Sequence, residues 1–218
     1  MNRNQTETIE SYNQSSKDFM DKIGSLKNYN ETYDFLINLL NENDNVLDLA
    51  CGPAQISRYL LDRININITG VDLSVEMLKI AKNNIPNGVF LNYSIVTFKS
   101  DISFNLIILG FGIPYLDKNQ TIQCIKNCAS MLIDNGYIYI SFMDGDNEGF
   151  EETSFGGENK FYIYYHEKEN IKNILKDNGI EIIKEYNIDY NEKDGRITKD
   201  IVLIGKKWGI YNYFIDNY

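Results

Sequence analysis

The sequence predicts an α/β protein with a doubly wound, mostly parallel sheet and an N-terminal helical cap. Strand-like and helix-like segments alternate from residue 45 to residue 142. The central strand-like runs show no polar alternation, which is typical of parallel strands covered by helices on both faces. Near the end, a polar stretch with Asp194-Gly195 separates two further apolar runs, so the sheet is predicted to finish in an antiparallel pair.

The first 44 residues are predicted to form the helical cap. Apolar residues recur at helical spacing loosely from Ile9 to Ile23 and clearly from Tyr33 to Leu40. After them, the apolar run Val46–Ala50 ends in Cys51-Gly52-Pro53, which indicates a buried strand followed by a tight turn.

The alternating part that follows is predicted element by element from the same patterns. Ser74 stands where the N-cap of a helix belongs, and Asn135-Gly136 is expected to end a later helix over residues 122–132. An aromatic, strand-like run at 161–165 precedes a helix at 167–177. The other predicted strands are 66–72, 89–91, 106–109, 137–142, 180–183 and 201–204.

Length and charge limit the function classes. The chain has 218 residues, which suits one domain, divided here into a cap (1–44), a core (45–207) and an aromatic tail (208–218). It carries 21 basic against 31 acidic residues, so we expect no nucleic-acid partner and no anionic membrane surface as a partner.

No apolar segment is long enough for a membrane span, and the first residues contain no apolar core of a secretion signal. Three cysteines do not make a disulfide framework, which favours a cytoplasmic location. No metal site is expected. Cys124 and Cys128 lack partner ligands, and the acidic loop Asp144–Gly149 lacks the final carboxylate of a calcium loop because Phe155 stands at that position.

The turn after the first strand predicts a ligand site. In a doubly wound sheet the ligand lies beyond the carboxyl ends of the strands, and the small residues Ala50, Gly52 and Ala54 let it approach the backbone. Asp72 ends the second strand 20 residues after Gly52, the spacing at which a carboxylate accepts hydrogen bonds from the ribose of an adenosine ligand. Pro53 and the single glycine make the turn unsuitable for a diphosphate, but suitable for an amino-acid group.

These residues resemble the class I S-adenosylmethionine-dependent methyltransferases of the small-molecule type. The family's first motif, D-x-G-x-G, is matched by Asp48, Ala50 and Gly52, with Ala54 replacing the last glycine. Gly70–Ser74 resembles the second motif, and the similarity extends over roughly residues 8 to 207. The resemblance implies a seven-stranded Rossmann-like sheet, S-adenosyl-L-methionine as cofactor, and methyl transfer to an oxygen or nitrogen atom of a small molecule.

The site residues follow from the same resemblance together with the chemistry of the side chains. The cofactor is expected to contact Tyr12, Asp48, Ala50, Cys51, Gly52, Asp72, Leu73, Met77, Tyr93, Ser94, Gly110 and Phe111. The acceptor is expected to contact Tyr115, Tyr162, Tyr164 and His166, the tyrosines offering aromatic faces to a cation. His166 is the only histidine and therefore the candidate general base.

Two alternatives stay open from the sequence. A nucleotide-dependent oxidoreductase would need phosphate-facing glycines that the turn lacks. A non-catalytic module could bind S-adenosylmethionine, or dock a protein, on the same fold. A macromolecular acceptor is also compatible with a methyltransferase, and the chain is expected to be a monomer or a homodimer.

Overall fold

A computed structural model describes residues 2–23, 27–153, 156–191 and 197–209. Its helices are α1 (Arg3–Ile23), α2 (Asn30–Ile37), α3 (Gln55–Leu61), α4 (Val75–Asn84), α5 (Lys118–Met131) and α6 (Lys168–Asp177), with a 3₁₀ turn at Ile113–Tyr115. Its strands are β1 (Asn45–Leu49), β2 (Asn67–Asp72), β3 (Val89–Asn92), β4 (Phe104–Gly110), β5 (Leu132–Met143), β6 (Glu148–Glu152), β7 (Lys160–Tyr164), β8 (Ile180–Asn191) and β9 (Ile197–Lys207).

Seven strands form one sheet in the order β3-β2-β1-β4-β5-β9-β8. The first five are parallel to one another, and β9 runs antiparallel to both β5 and β8. The predicted fold, a doubly wound and mostly parallel sheet with a C-terminal antiparallel pair and an N-terminal helical cap, is confirmed. The predicted turn at Asp194-Gly195 lies outside the described residues, as do residues 210–218 of the aromatic tail.

The apolar central strands supply the core on both faces of the sheet. Leu47 and Ile107 pack on one face with residues of α5 and α6. Val46 and Ile108 pack on the other face with residues of α2, α3 and α4. Because the apolar side chains of β1 and β4 are buried on both faces of the sheet, these strands show no regular polar alternation. Burial on both faces fixes their carboxyl ends, where the functional site lies.

Local capping signals were read correctly at α4 and wrongly at α5. The Ser74 hydroxyl accepts a hydrogen bond from the Met77 amide at 3.2 Å, as an N-cap should. Asn135-Gly136 does not end α5, because the helix stops at Met131 and continues directly into β5. Asn135 has a φ of +62° inside an irregular stretch of that strand. Its left-handed conformation serves a bulge here, and the same residues are favoured at helix ends.

The aromatic run at 161–165 is a strand, β7, but it lies outside the large sheet. It pairs with β6, which the sequence analysis did not predict, in a separate hairpin. This hairpin is held against α1: the Ser11 hydroxyl donates to the Lys160 carbonyl at 2.8 Å, and the Tyr162 amide donates to the Thr8 hydroxyl at 2.9 Å. Helix α1 and the hairpin therefore form one cover.

Within the described part of the chain, each helix is too short or too polar to cross a bilayer.

Candidate active site

A cavity of about 990 Å³ lies at the carboxyl ends of β1, β2 and β4, under the cover formed by α1 and the β6–β7 hairpin. Its size is at the upper end of the range of small-molecule sites, roughly 300–1,000 Å³. The first strand-to-helix turn, the end of β2 and the segment after β4 all contribute to its lining. The position is the one predicted for a ligand in a doubly wound sheet.

The turn after β1 has an unusual backbone. Ala50, Gly52 and Ala54 have φ values of +55°, +50° and +62°, in the left-handed region that glycine adopts without cost. For an alanine this conformation costs on the order of 1 kcal/mol. A Cβ placed on Gly52 would meet only Phe19 within 4 Å, at 3.7 Å, so the backbone there is open to a ligand. Ala54, in contrast, is buried in the core beside α3 and does not line the cavity.

Asp72 is held rigidly beside this turn. One carboxylate oxygen accepts from the Gly52 amide at 2.9 Å, and the other accepts from the Ser74 amide at 2.8 Å. Burial raises the pKa of Asp72, while the amides of Ser74, Gly52 and Leu73 oppose that rise by stabilising the charge. The carboxylate joins the tips of β1 and β2 and faces the cavity.

Asp48 lies deeper, at the end of β1. The Ser57 hydroxyl of α3 donates to its carboxylate at 2.6 Å. Burial raises the pKa of Asp48 to about 7, and the nearby charge of Asp72 adds to the rise. Asp48 therefore links β1 to α3 and also reaches the cavity wall.

An aromatic cluster closes the cavity from the side of α1. The hydroxyls of Tyr12 and Tyr115 are hydrogen-bonded to each other. The Tyr12 ring makes edge contacts with Phe19 and Phe161, with centroids 5.5 and 4.7 Å apart. Burial raises the pKa of Tyr115 to about 12, so both phenols stay protonated at neutral pH.

Phe111 continues the wall after β4. It has a φ of +54°, and its amide donates to the buried Ser141 hydroxyl at 2.9 Å. Its ring meets the Tyr29 ring edge-on at 5.6 Å. The hydrogen bond to Ser141 of β5 thus holds Phe111 at the cavity wall in its strained backbone conformation.

Most of the predicted site residues come together on this wall. Those that line the cavity are Tyr12, Asp48, Ala50, Cys51, Gly52, Asp72, Leu73, Met77, Ser94, Gly110, Phe111, Tyr115, Tyr162 and Tyr164. Tyr93 is not among them: its side chain is 53% exposed and packs against Phe98. Adenine contact by Tyr93 is therefore not supported by its position.

His166 also lies away from the cavity lining. It is buried beside Phe142, and its Nε2 is 2.9 Å from the Ile113 carbonyl. Burial lowers the pKa of His166, which favours the neutral ring. A neutral imidazole bonded to a carbonyl is suited to holding the segment after β4 in place. Its role as general base stays a prediction that this placement does not favour.

Sequence reasoning missed several parts of the wall. Val96 and Thr97 follow β3, just after Ser94 and Ile95. One face of α1 supplies Gln5, Thr8 and Ile9 in addition to Tyr12 and Phe19, which the sequence already indicated. The helical spacing of that face was a usable signal, whereas Asp200 on β9 comes from a distant part of the chain and had none. Across the described ranges, no cluster of three or more His, Cys, Asp or Glu side chains is placed to hold a metal ion.

Comparison with known proteins finds a similarity to one family. Residues 46–136 match the family model described as a methyltransferase domain. This part of the chain is similar to a methyltransferase domain. That match covers the turn after β1, Asp72 and the segment after β4, which are the parts of the cavity predicted from the sequence.

Two curated relatives match about half of the chain. The trans-aconitate 2-methyltransferase of Enterobacter sp. (strain 638) is 28% identical over 110 residues, covering 50% of this chain and 43% of the relative. The ubiquinone biosynthesis O-methyltransferase of Shewanella pealeana is 26% identical over 119 residues, covering 52% of this chain and 49% of the relative. The chain thus spans less than half the length of these two relatives.

A solved structure agrees over nearly the whole chain. Magnesium protoporphyrin IX methyltransferase from Synechocystis PCC 6803, crystallised with bound S-adenosylmethionine, has a TM-score of 0.71 with 16% sequence identity. The superposition covers 95% of this chain and 98% of that one. At this identity the likeness establishes the fold.

Proposed function

We propose that this chain is an S-adenosylmethionine-dependent methyltransferase that methylates an oxygen or nitrogen atom of a small molecule. The observation that carries the proposal is Asp72, whose carboxylate faces the cavity while two backbone amides fix it beside the open backbone of Gly52. A fixed carboxylate at the end of β2 is suited to accept hydrogen bonds from both ribose hydroxyls of a nucleoside.

The residues present fit the cofactor. Leu73, Met77 and Ile95 contribute apolar surface to the cavity lining that an adenine ring could contact. The left-handed turn from Ala50 to Gly52 leaves room for an amino-acid end. The cofactor would supply a methyl group on a positively charged sulfur, which is already reactive toward an electron-rich acceptor.

The chain's own part is then mainly positioning. Asp72 and the turn fix one end of the site, and α1 and the hairpin, bonded to each other, form its cover. Alignment of the acceptor with the reacting bond contributes much of the rate enhancement in such reactions. We propose that His166 contributes by fixing Ile113 and the following aromatic segment.

The test is the affinity for S-adenosylhomocysteine, measured by isothermal titration calorimetry. Asp72→Asn keeps the size of the side chain and removes its charge, so we expect binding to weaken by about 1–3 kcal/mol. Asp101→Asn removes an equally negative but exposed carboxylate outside the cavity and should leave the affinity unchanged. Equal affinity of the Asp72 variant and the native chain would mean that the ribose is held elsewhere, and the proposal would fail.

A further inference from the structure

Asp200 is a carboxylate of the cavity wall that the proposed function does not use. It lies on β9, is only 4% exposed, and contributes to the lining of the cavity. The buried Tyr29 hydroxyl donates a hydrogen bond to its Oδ2. Burial raises the pKa of Tyr29, and the nearby charge of Asp200 adds to the rise, so the phenol keeps its proton and is the donor.

The strand register places Asp200 beyond the end of β4. Gly110 ends β4 and pairs with Ser141 of β5. Met143, two residues further along β5, pairs with Asp200. Asp200 therefore lies about 7 Å past the level of Gly110, at the same edge of the sheet as the cavity.

Asp200 and Asp72 lie on opposite sides of β4. The sheet order β2-β1-β4-β5-β9 puts β4 midway between the strand that carries Asp72 and the strand that carries Asp200. Methyl transfer needs two molecules in one cavity, the cofactor and the acceptor. Because the proposed function assigns the Asp72 side to the cofactor, the Asp200 side is available to the acceptor.

The wall around Asp200 is aromatic and apolar. The Tyr29 ring, whose hydroxyl is bonded to Asp200, meets the ring of Phe111 just after β4, with centroids 5.6 Å apart. Met143 shares a face of the sheet with Asp200, because directly opposite residues of antiparallel strands do so. All four residues line the cavity, and we call them the β9 pocket. Apolar walls around one well-placed polar group are typical of small-molecule sites.

The polar group of the β9 pocket selects a hydrogen-bond donor. An ionised carboxylate only accepts hydrogen bonds, and its two oxygens offer about four lone-pair sites. A ligand hydroxyl can therefore bind Asp200 together with Tyr29, whose own bond shows that a phenol fits this carboxylate. A ligand that offers only acceptor oxygens makes no such bond and leaves a buried charge poorly solvated.

Resting on the proposed function, we infer that the methyl acceptor is an aromatic molecule with a hydroxyl group, whose ring lies against Tyr29 and Phe111 while the hydroxyl donates to Asp200. The inference concerns the group that anchors the acceptor in the β9 pocket. It is independent of which atom receives the methyl.

The test compares phenol with toluene, in which a methyl group of similar size replaces the hydroxyl. Both are titrated into the full chain saturated with S-adenosylhomocysteine, and their dissociation constants are measured from ligand NMR signals. Burial of apolar surface alone would favour toluene. We expect phenol to bind about tenfold more tightly, because a hydrogen bond to a charged acceptor is strong.

Asp200→Asn keeps the size of the side chain and an oxygen for Tyr29, but removes the charge. The preference for phenol should fall to about threefold or less. Asp189→Asn is the matched control, because it removes an exposed carboxylate of the neighbouring strand β8 outside the cavity, and it should keep the preference.

Tyr29→Phe provides a second variant, which keeps the ring and leaves the carboxylate in place. It should therefore retain the preference for phenol. No binding of phenol, equal affinities in the native chain, an unchanged preference in Asp200→Asn, or loss of the preference in Tyr29→Phe would each overturn the inference.

The affinity for S-adenosylhomocysteine separates this inference from the proposed function. Native chain and Asp200→Asn should bind it equally, since Asp200 lies across β4 from Asp72, and equal binding also shows that the variant is folded. If the native chain binds S-adenosylhomocysteine without preferring phenol, the anchor is wrong and the proposed function stands. If the native chain does not bind S-adenosylhomocysteine, the proposed function fails and this inference fails with it.

Discussion

At the scale of single residues, two carboxylates share one cavity but differ in their surroundings. Asp72 accepts hydrogen bonds from the backbone amides of two residues, Gly52 and Ser74, whereas the hydrogen bonds that support Asp48 come from the single residue Ser57. Amide donors stabilise the charged form, so Asp72 is the better acceptor for a ligand. Asp48, with a pKa raised to about 7, changes its charge near neutral pH.

This difference predicts a pH effect on stability. The ordinary pKa of 3.8 applies to Asp48 in the unfolded chain, and burial raises the pKa to about 7 in the folded protein. Between these values the folded state holds a proton that the unfolded state has released. The protonated carboxyl therefore stabilises the fold at low pH, and this contribution is lost as the pH rises through 7.

Asp48→Asn should abolish that loss while keeping an oxygen for the Ser57 hydroxyl. Relative to the native chain, the variant should gain roughly 2 kcal/mol of unfolding free energy between about pH 5 and about pH 8, measured by urea denaturation. The exposed Asp101→Asn variant should show no such relative gain. Parallel pH curves for the native chain and the Asp48 variant would contradict the buried, protonated state of this carboxyl.

At the scale of elements, α1 is attached to several parts of the molecule at once. Besides its bonds to β7, it carries Asn13, which accepts from the Ser74 hydroxyl beside α4 at 2.7 Å. Gln5 donates to the Tyr115 carbonyl at 3.2 Å. The hydroxyls of Tyr12 and Tyr115 complete the attachment next to the cavity. Each hydrogen bond contributes only a modest free energy, so α1 is held in place by all of these bonds together.

The contribution of the tyrosine pair can be measured by a double-mutant cycle with Tyr12→Phe and Tyr115→Phe. We expect a coupling energy of about 0.5–1.5 kcal/mol in urea unfolding, because each hydroxyl loses its partner when the other is removed. The Tyr59 hydroxyl bonds to Asp34 instead, so pairing Tyr12→Phe with Tyr59→Phe should give additive effects. Additivity in the Tyr12–Tyr115 cycle would show that the bond does not hold α1.

The sequence predicted features that depend on nearby residues better than features that depend on contacts between distant parts of the chain. The turn after β1, Asp72 and the Ser74 cap were predictable because their signals lie within a few residues or at a fixed spacing. The prediction that Asn135 ends α5 was wrong because a residue in the left-handed conformation is suited to a bulge as well as to a helix end. His166 was chosen for its chemistry, but packing decided that it would face a carbonyl. Glu151 of β6 reaches the cavity wall only through tertiary contacts, so no local sequence pattern predicted that it lines the cavity.

At the scale of the whole molecule, the site joins parts of the chain that are far apart in sequence. The cavity lining runs from Gln5 on α1 to Asp200 on β9, and the core β strands lie between. A ligand that touches these parts binds the folded chain and not the unfolded one. Binding should therefore stabilise the entire fold by mass action.

S-adenosylhomocysteine at about 100 times its dissociation constant should raise the unfolding free energy by about 2.7 kcal/mol. The measurement is urea denaturation of the full chain with and without the ligand. At that same ligand concentration the Asp72→Asn variant should gain less, since its site is then less fully occupied. An unchanged denaturation curve for the native chain would mean that the cavity does not take this ligand.

The attachment of α1 has a kinetic consequence. Helix α1 is bonded to Ser74 before α4, to β7 and to the 3₁₀ turn, and it forms part of the wall of the cavity. Any movement of this helix away from the cavity requires several weak bonds to break together. If ligands enter and leave by such a movement, strengthening these bonds should slow turnover while it raises resistance to denaturants.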